Sequence, residues 1–471
     1  MILLSLALLT GCGVNTDESE TSQTKETPED FLEDYLKDMK AEADAMYTDR
    51  EVYGVAGWDN EAVRNSPLYQ FAMAIPKGAE LHTHEMTLLP FDRFIEVIRN
   101  RAWIVLDEDD NHGKLYAQNN PNRPENAVNL DEALSSGLIS MGALRDTITL
   151  SGTEKEDGLW DGLTFGFTSI SGLSIDNELM EQIYEESFRY AVEIGLDLVE
   201  LRISRKKDEA STAAYLENIR NAYYAVRKEY PDFRVRIIGT AGKSLRYSID
   251  DSTEGLQMFI HLSKTILDEF DPDHPEQFII GLDLVNEEDT GRLLDDYVDY
   301  LVSDEVRDSG LKLFLHCGES LRLNNKSVND AYIANTYRAG HAFNLYRDPS
   351  LMFIFKESHI TIEVCPISNL SLGYVHDLRL HPAYYYKIEK VPFVVCSDDG
   401  LFMTARPLVD DYYSAILCWD FSMNEIKEMC ERSIEDSGLS DEETEKLLAV
   451  WHKKWDAFCE DQLNRLRQSE Q

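Results

Sequence analysis

The 471-residue sequence predicts an α/β fold, a (β/α)8 barrel of the TIM type with an N-terminal helical extension and C-terminal helices. Three observations carry this. Short β-type runs alternate with helical stretches eight times. Histidines and an Asp pair collect at the ends of those runs. Capping signals mark a helix before the first run and another after the last.

The eight runs, in order, are Ala79–His84, Leu196–Ser204, Phe233–Thr240, Phe278–Val285, Leu311–His316, Tyr337–His341, Ile360–Pro366 and Val391–Ser397. Between them, stretches such as 177–194 and 212–230 carry apolar residues at helical spacing. Residues 107–133, rich in Asn, Asp and Pro, break the alternation and are expected to form an inserted loop.

Thr27-Pro28-Glu29-Asp30 reads as a helix start, with a cap residue, Pro in the first turn and acidic residues after it. Phe31, Tyr35 and Met39 follow at four-residue spacing beside Leu32 and Leu36, one apolar helix face. That face packs either on the barrel or on a second copy of the chain, and the sequence leaves both open, homodimer included. At the other end Ser440 and Glu443 form a capping box, and Leu447, Leu448, Trp451, Trp455 and Phe458 line one face as packing residues.

Composition bounds the function. The formal net charge is −42, so the basic footprint that nucleic acid or an anionic membrane needs is missing. A small neutral substrate remains compatible. Residues 1–12, MILLSLALLTGC, form a short apolar run that resembles a bacterial lipoprotein signal, with Cys12 as the lipidated residue. No Lys or Arg precedes it, unlike the usual signal. Residues 13–26 are polar and aperiodic and read as a tether. The resemblance implies an extracytoplasmic protein, lipid-anchored at the membrane surface or secreted. No later segment is long and apolar enough to span a bilayer. The remaining six cysteines form no CxxC pair, so neither a cysteine zinc cluster nor a disulfide framework is indicated. The organisation is thus signal 1–12, tether 13–26, helical extension 27–70 and barrel 71–471.

In such a barrel the active site lies at the C-terminal strand ends. The first run closes with His82-Thr83-His84. Residues two apart on a strand point to the same side, so both imidazoles reach one ion. The fifth closes with His316-Cys317-Gly318-Glu319, the sixth with Arg338-Ala339-Gly340-His341 and the eighth with Ser397-Asp398-Asp399-Gly400. Three imidazoles and a carboxylate, His82, His84, His316 and Asp398, suit one Zn2+ per chain with a position left for water. The ion lowers the pKa of that water. Glu319, at the mouth of the same strand as His316, is placed to handle protons at the substrate. His341 and Asp399 orient the water or accept its proton.

The stretches PKGAELHTH, LFLHCGES, YRAGH, IEVCPISN and VCSDDG occur in this order with barrel-like spacing. Together they resemble the adenosine deaminase family of metal-dependent amidohydrolases, over about residues 70 to 460. GLDLVNEEDTG from Gly281 to Gly291, EVCPISN and WHKKW from Trp451 to Trp455 resemble the secreted growth-factor branch. The resemblance implies hydrolytic deamination of adenosine or 2′-deoxyadenosine to inosine or 2′-deoxyinosine with release of ammonia. His82, His84, His316 and Asp398 would hold the metal. Glu319 would donate a proton to purine N1 as hydroxide adds at C6. His341 would act on the attacking water, and Asp399 would hold it and meet N7. Glu85, Asn286 and Gly318 would join Asp399 in contacting the nucleoside.

Several positions depart from the family pattern. Asn286 stands where Gly is usual, Gly400 where Pro follows the Asp pair, Cys317 for Ala, and Ala342 for Gly. Glu85 is the available carboxylate for the ribose. These differences bear on the substrate, and keep open another 6-aminopurine nucleoside such as a 5′-modified one. A non-catalytic nucleoside-binding or signalling protein, or an amidohydrolase acting outside the purines, are the remaining readings.

His112, His261, His274, His359, His376, His381 and His452 have no strand-end context and read as surface or structural histidines. Arg338 and Arg379 are expected to pair with carboxylates. Ser368 and Asn369 close the seventh run, with a structural and an indirect substrate role equally open.

Overall fold

The computed structural model describes residues 27–47, 60–107, 112–150 and 158–469. Cys12, the signal and the tether lie outside the described residues. Eight parallel strands form the central sheet: β1 Gly78–His84, β2 Leu196–Ser204, β3 Arg234–Gly242, β4 Ile279–Val285, β5 Lys312–Cys317, β6 Arg338–His341, β7 Thr361–Val364 and β8 Phe393–Val395. Each pairs with the next in chain order.

The first and last strands meet through residues at the site. Thr83 bridges Asp398 in parallel register, and Asp398 N–H donates to the His82 carbonyl at 2.8 Å. Lower in the seam, Glu80 accepts from His82 N–H at 2.9 Å and Ser397 N–H at 3.1 Å. Burial raises this carboxyl to about 7, so the seam is closed by a group that spans both strands from the interior.

The eight expected runs fall on these strands, with ends moved by at most two residues. The reason is chemical at the seventh. Pro366 has no N–H to give a ladder, and instead begins the helix Pro366–Ser371. Residues 107–133 are more than an inserted loop. Among the described residues, Leu115–Ala117 and Val128–Asn129 flank Ala102–Ile104 in a three-stranded antiparallel sheet. Strands of two or three residues are too short to show alternation, so the Asn and Pro content dominated the reading.

Helix α1, Pro28–Asp44, begins with a capping box between Thr27 and Asp30. Its buried stripe is Leu32, Leu36, Met39 and Ala43, while Phe31 is 55% exposed. The stripe packs within the chain, against the C-terminal helices. Each fully buried Leu is worth about 2 kcal/mol relative to exposure. Helix α2, Leu159–Ser171, lies over the strand ends. Helices α3, Met423–Glu435, and α4, Asp441–Ser469, close the other end. On α4 Trp451 donates to the Pro76 carbonyl at 2.8 Å and Trp455 to Glu29 at 3.0 Å, both rings fully buried. Five of the six described cysteines are buried, and none of the six is in a disulfide. No described helix is long and apolar enough to cross a membrane.

Candidate metal centre and active site

The C-terminal ends of β1, β5 and β8 deliver four donor atoms to one point. The Nε2 atoms of His82 and His316 lie 3.1 Å apart. His84 Nε2 is 3.2 Å from Asp398 Oδ1, and His82 Nε2 is 3.6 Å from the same oxygen. All four residues offer atoms within 4.8 Å of one another. A tetrahedron with corners roughly 2.05 Å from its centre has edges of about 3.3 Å, so these separations suit a zinc-sized ion.

Proton bookkeeping leads to the same place. His82 Nδ1 donates to Glu363 Oε2 at 2.7 Å, and His316 Nδ1 donates to Asp283 Oδ2 at 2.6 Å. A neutral imidazole has one N–H, so both facing Nε2 atoms present lone pairs. Two lone pairs at 3.1 Å repel unless a cation lies between them. Burial lowers the pKa of His316 to about 3, which keeps its ring in the metal-binding form. Burial opposes the charge on Asp398, yet the His82 and His84 rings beside it hold its carboxyl well below the usual range. Ser368 Oγ donates to Asp398 Oδ2 at 2.7 Å and leaves Oδ1 for the ion. A second overlapping donor set, His82, His341, Cys365 and Asp398, is less suitable. Burial raises the Cys365 thiol well above its ordinary value, and its Sγ faces the Glu363 carbonyl at 3.8 Å.

Beneath the histidines lies a buried charge network. Arg202 of β2 donates to Asp283 at 2.8 Å and to Glu363 at 2.5 Å. Arg338 of β6 donates to Glu363 at 2.8 Å and to Glu200 at 2.5 Å. All five side chains are fully buried. Despite burial, the Arg202 and Arg338 guanidinium groups hold Glu363 low, and His316 and Arg202 do the same for Asp283. These carboxylates fix both imidazole tautomers and ring planes.

The strands turn sharply on reaching the site. Met86, Asn286, Gly318, His341, Ala342 and Asp398 all have positive φ. For residues other than Gly such backbone costs about 1–3 kcal/mol each, and it clusters where side chains must be aimed. At Gly318 nothing larger fits: a Cβ would lie 2.3 Å from Val328 Cγ2.

A cavity of about 520 Å3 opens beside the four donors. Glu319, His341 and Asp399 line it with His84, His316 and Asp398, and α2 covers it with Trp160, Leu163 and Phe167. Glu319 is 5% exposed, and burial, Asp398 and Glu288 raise its carboxyl well above the ordinary value. Burial and Asp398 raise Asp399 likewise. Among the described residues, Asp399 Oδ1 and His341 Nδ1 are buried polar atoms with no hydrogen-bond partner, although His341 Nδ1 comes within 3.4 Å of Glu319 Oε1. Such atoms are costly unless a ligand or water meets them.

The family described as adenosine deaminase matches residues 179–453, more than half of the chain. The chain belongs to the adenosine deaminase family. It is similar to adenosine deaminase from Phlebotomus duboscqi, 26% identical over 92% of this chain and 87% of that one. It is also similar to adenosine deaminase 2 from Homo sapiens, 24% identical over 85% of this chain and 81% of that one, which supports the growth-factor branch. The fold matches that of the arabidopsis N6-mAMP deaminase, with a TM-score of 0.58 at 18% identity, covering 82% of this chain and 99% of that one. This deaminase is therefore a hydrolase of a C–N bond.

The expected substrate contacts are gathered unequally. Glu85 and Asn286 line the cavity of this deaminase. Glu85 is already engaged by the Lys206 ammonium, which also lies over the Tyr215 ring at 3.8 Å. The Gly318 N–H donates to Glu288 at 3.0 Å, so it faces away from a ligand. Glu288 in turn pairs with fully buried Lys243 at 2.8 Å, and Lys243 donates to the His316 carbonyl at 3.1 Å. That pair fixes the turn carrying His316 and Glu319.

Sequence reasoning missed Asp283, Glu363, Glu288 and Lys243 as supports of the site. A signal existed: a carboxylate inside an apolar strand, as in GLDLV or IEV, is rarely buried unless paired. Arg338 does pair with carboxylates, as expected. His381 is structural in the sense of buried and satisfied, yet it connects to Glu319 through Asn369.

Proposed function

We propose that this deaminase converts adenosine or 2′-deoxyadenosine to inosine or 2′-deoxyinosine, with one Zn2+ per chain. The observation that carries the reading is the placement of Glu319, a buried carboxyl pushed toward its protonated form, in the same cavity as the donors His84, His316 and Asp398. A divalent ion held by His82, His84, His316 and Asp398 would supply activated water at neutral pH.

The chain's own groups account for the protons. His341 takes one from the attacking water as its oxygen adds to C6. Glu319 gives its proton to N1, which removes charge the ring would otherwise accumulate. The Asp399 carboxyl, pushed toward its protonated form by burial and by Asp398, donates to N7. His341 then passes its proton to the C6 amine, ammonia leaves, and the C6 hydroxyl proton restores Glu319.

The charge of the mouth favours a nucleoside over a nucleotide. Glu85, Asp161 and Glu287 line the cavity, and its lining cations are Arg246 and Arg202, the latter bound by Asp283 and Glu363. A 5′-phosphate would meet mostly carboxylates. The engagement of Glu85 by Lys206 favours a second reading on the same chemistry, a 5′-modified 6-aminopurine nucleoside. Amine release, as ammonia from adenosine, 2′-deoxyadenosine, a 5′-modified adenosine, adenine and AMP and as methylamine from N6-methyl-AMP, tests both. Preference for AMP or N6-methyl-AMP by tenfold or more in kcat/KM would sink the nucleoside assignment.

A further inference from the structure

His381 lies outside the cavity lining, 3% exposed, at the N-cap of helix Pro382–Glu389. Its Nδ1 accepts the Ala383 N–H at 3.0 Å. A ring nitrogen that accepts carries no proton, so the imidazole proton resides on Nε2. Nε2 lies 3.0 Å from Asn369 Oδ1 and donates to it. This orients the Asn369 amide: its oxygen faces His381 and its nitrogen faces Glu319. Asn369 Nδ2 then donates to Glu319 Oε1 at 3.0 Å.

Glu319 Oε1 is therefore an acceptor, and the acidic proton of the carboxyl belongs on Oε2. We propose that His381 and Asn369 form a positioning relay that fixes which oxygen of Glu319 carries its proton and keeps that proton directed to the substrate. The relay rests on Glu319 being the proton donor of the proposed function. Without His381 the Asn369 amide is free to turn over and present Oδ1 to Glu319. The carboxyl proton is then drawn to Oε1 to donate to that oxygen, and Oε2 meets the ring as an acceptor. The loss falls on the chemical step and not on nucleoside binding. The relay is shielded from water: Phe343 lies edge-on to the His381 ring at 5.3 Å, and Trp419 lies 5.2 Å away. Burial lowers the His381 pKa to about 3, so the ring stays neutral and its tautomer does not change near neutral pH.

A plain capping role is separable from the relay. His381→Asn keeps a good N-cap acceptor for Ala383 but is too short to reach Asn369 as well. Asn369→Leu keeps the volume and removes the amide. Each variant is expected to stay folded with full metal content, with a melting midpoint lowered by a few degrees at most, to keep KM for adenosine within about twofold, and to lose about 10-fold to 100-fold in kcat, as when other outer-shell partners are removed. In a Glu319→Gln background neither change should reduce the residual kcat further, because the proton to be aimed is gone. Parental kcat in both single variants overturns the relay. So does a loss that persists undiminished in the Glu319→Gln background, which is the signature of a structural role. If Glu319→Gln alone turns over at the parental rate, Glu319 is not the donor, and that separate reading fails first.

Discussion

Asp398 donates its backbone N–H to the His82 carbonyl at 2.8 Å, while its carboxylate lies 3.6 Å from the same residue's Nε2. One pair of residues thus joins the ends of the sheet through backbone and supplies two donor atoms through side chains. The two roles separate by mutation. Asp398→Asn leaves the seam bond, so secondary structure by circular dichroism should be unchanged. Metal content should fall to near zero in dialysed protein. Full metal retention would contradict the ligand assignment.

Metal removal should cost stability, because it leaves the Nε2 lone pairs of His82 and His316 facing each other at 3.1 Å. An ion present at about a thousand times its dissociation constant stabilises by about 4 kcal/mol. Chelation should lower the melting midpoint by several degrees, and added Zn2+ should restore it. A midpoint indifferent to both treatments would count against any bound ion.

Glu363 accepts from His82, Arg202 and Arg338 with no exposure to solvent. Glu363→Gln removes one charge beneath two guanidinium groups. Breaking such a buried pair costs about 3–5 kcal/mol. Loss of the His82 orientation should also weaken metal affinity by about 10-fold to 100-fold. Urea unfolding and competition with a chromogenic chelator read the two effects. Parental values in both would show that the network is dispensable.

The barrel and the chemistry-bearing strand ends were legible because they rest on local patterns. His82-Thr83-His84 needs only the two-residue period of a strand, and the alternation of strands with helices leaves few topologies. What was not legible is what depends on distant pairing. Asp283 and Glu363 meet the same arginine from strands 80 residues apart in sequence, and no local feature announces that. Residues 107–133 form strands too short to alternate. His381 lies at a helix start, so nothing nearby reveals that its ring faces Asn369. Among the contacts read from the resemblance, Gly318 turns its N–H to Glu288 because the left-handed turn at φ 70 points it away from the cavity.

Acid should destabilise the metal-free protein before the carboxylates titrate. His316 and His381 have pKa values of about 3 in the fold. Unfolded, each binds a proton near pH 6.5. Between about pH 6.5 and 3 the unfolded state therefore holds more protons, and stability falls as pH falls, by up to about 1.4 kcal/mol per unit for each imidazole. Asp283 and Glu363, held low in the fold, add to the loss once pH drops below about 4, since their unfolded carboxylates take up protons first. Urea unfolding of chelated protein between pH 7 and 4 tests this. His381→Asn should flatten the slope by about one imidazole, and a flat profile in the parent would contradict the burial argument.

The most direct test of the central claim is ammonia release from adenosine by Zn2+-loaded protein and its Glu319→Gln variant at matched metal content. The parent should turn over, and the variant should lose about 100-fold to 10,000-fold in kcat with metal retained. Equal rates in the two proteins, or no ammonia from the metal-loaded parent, would contradict it.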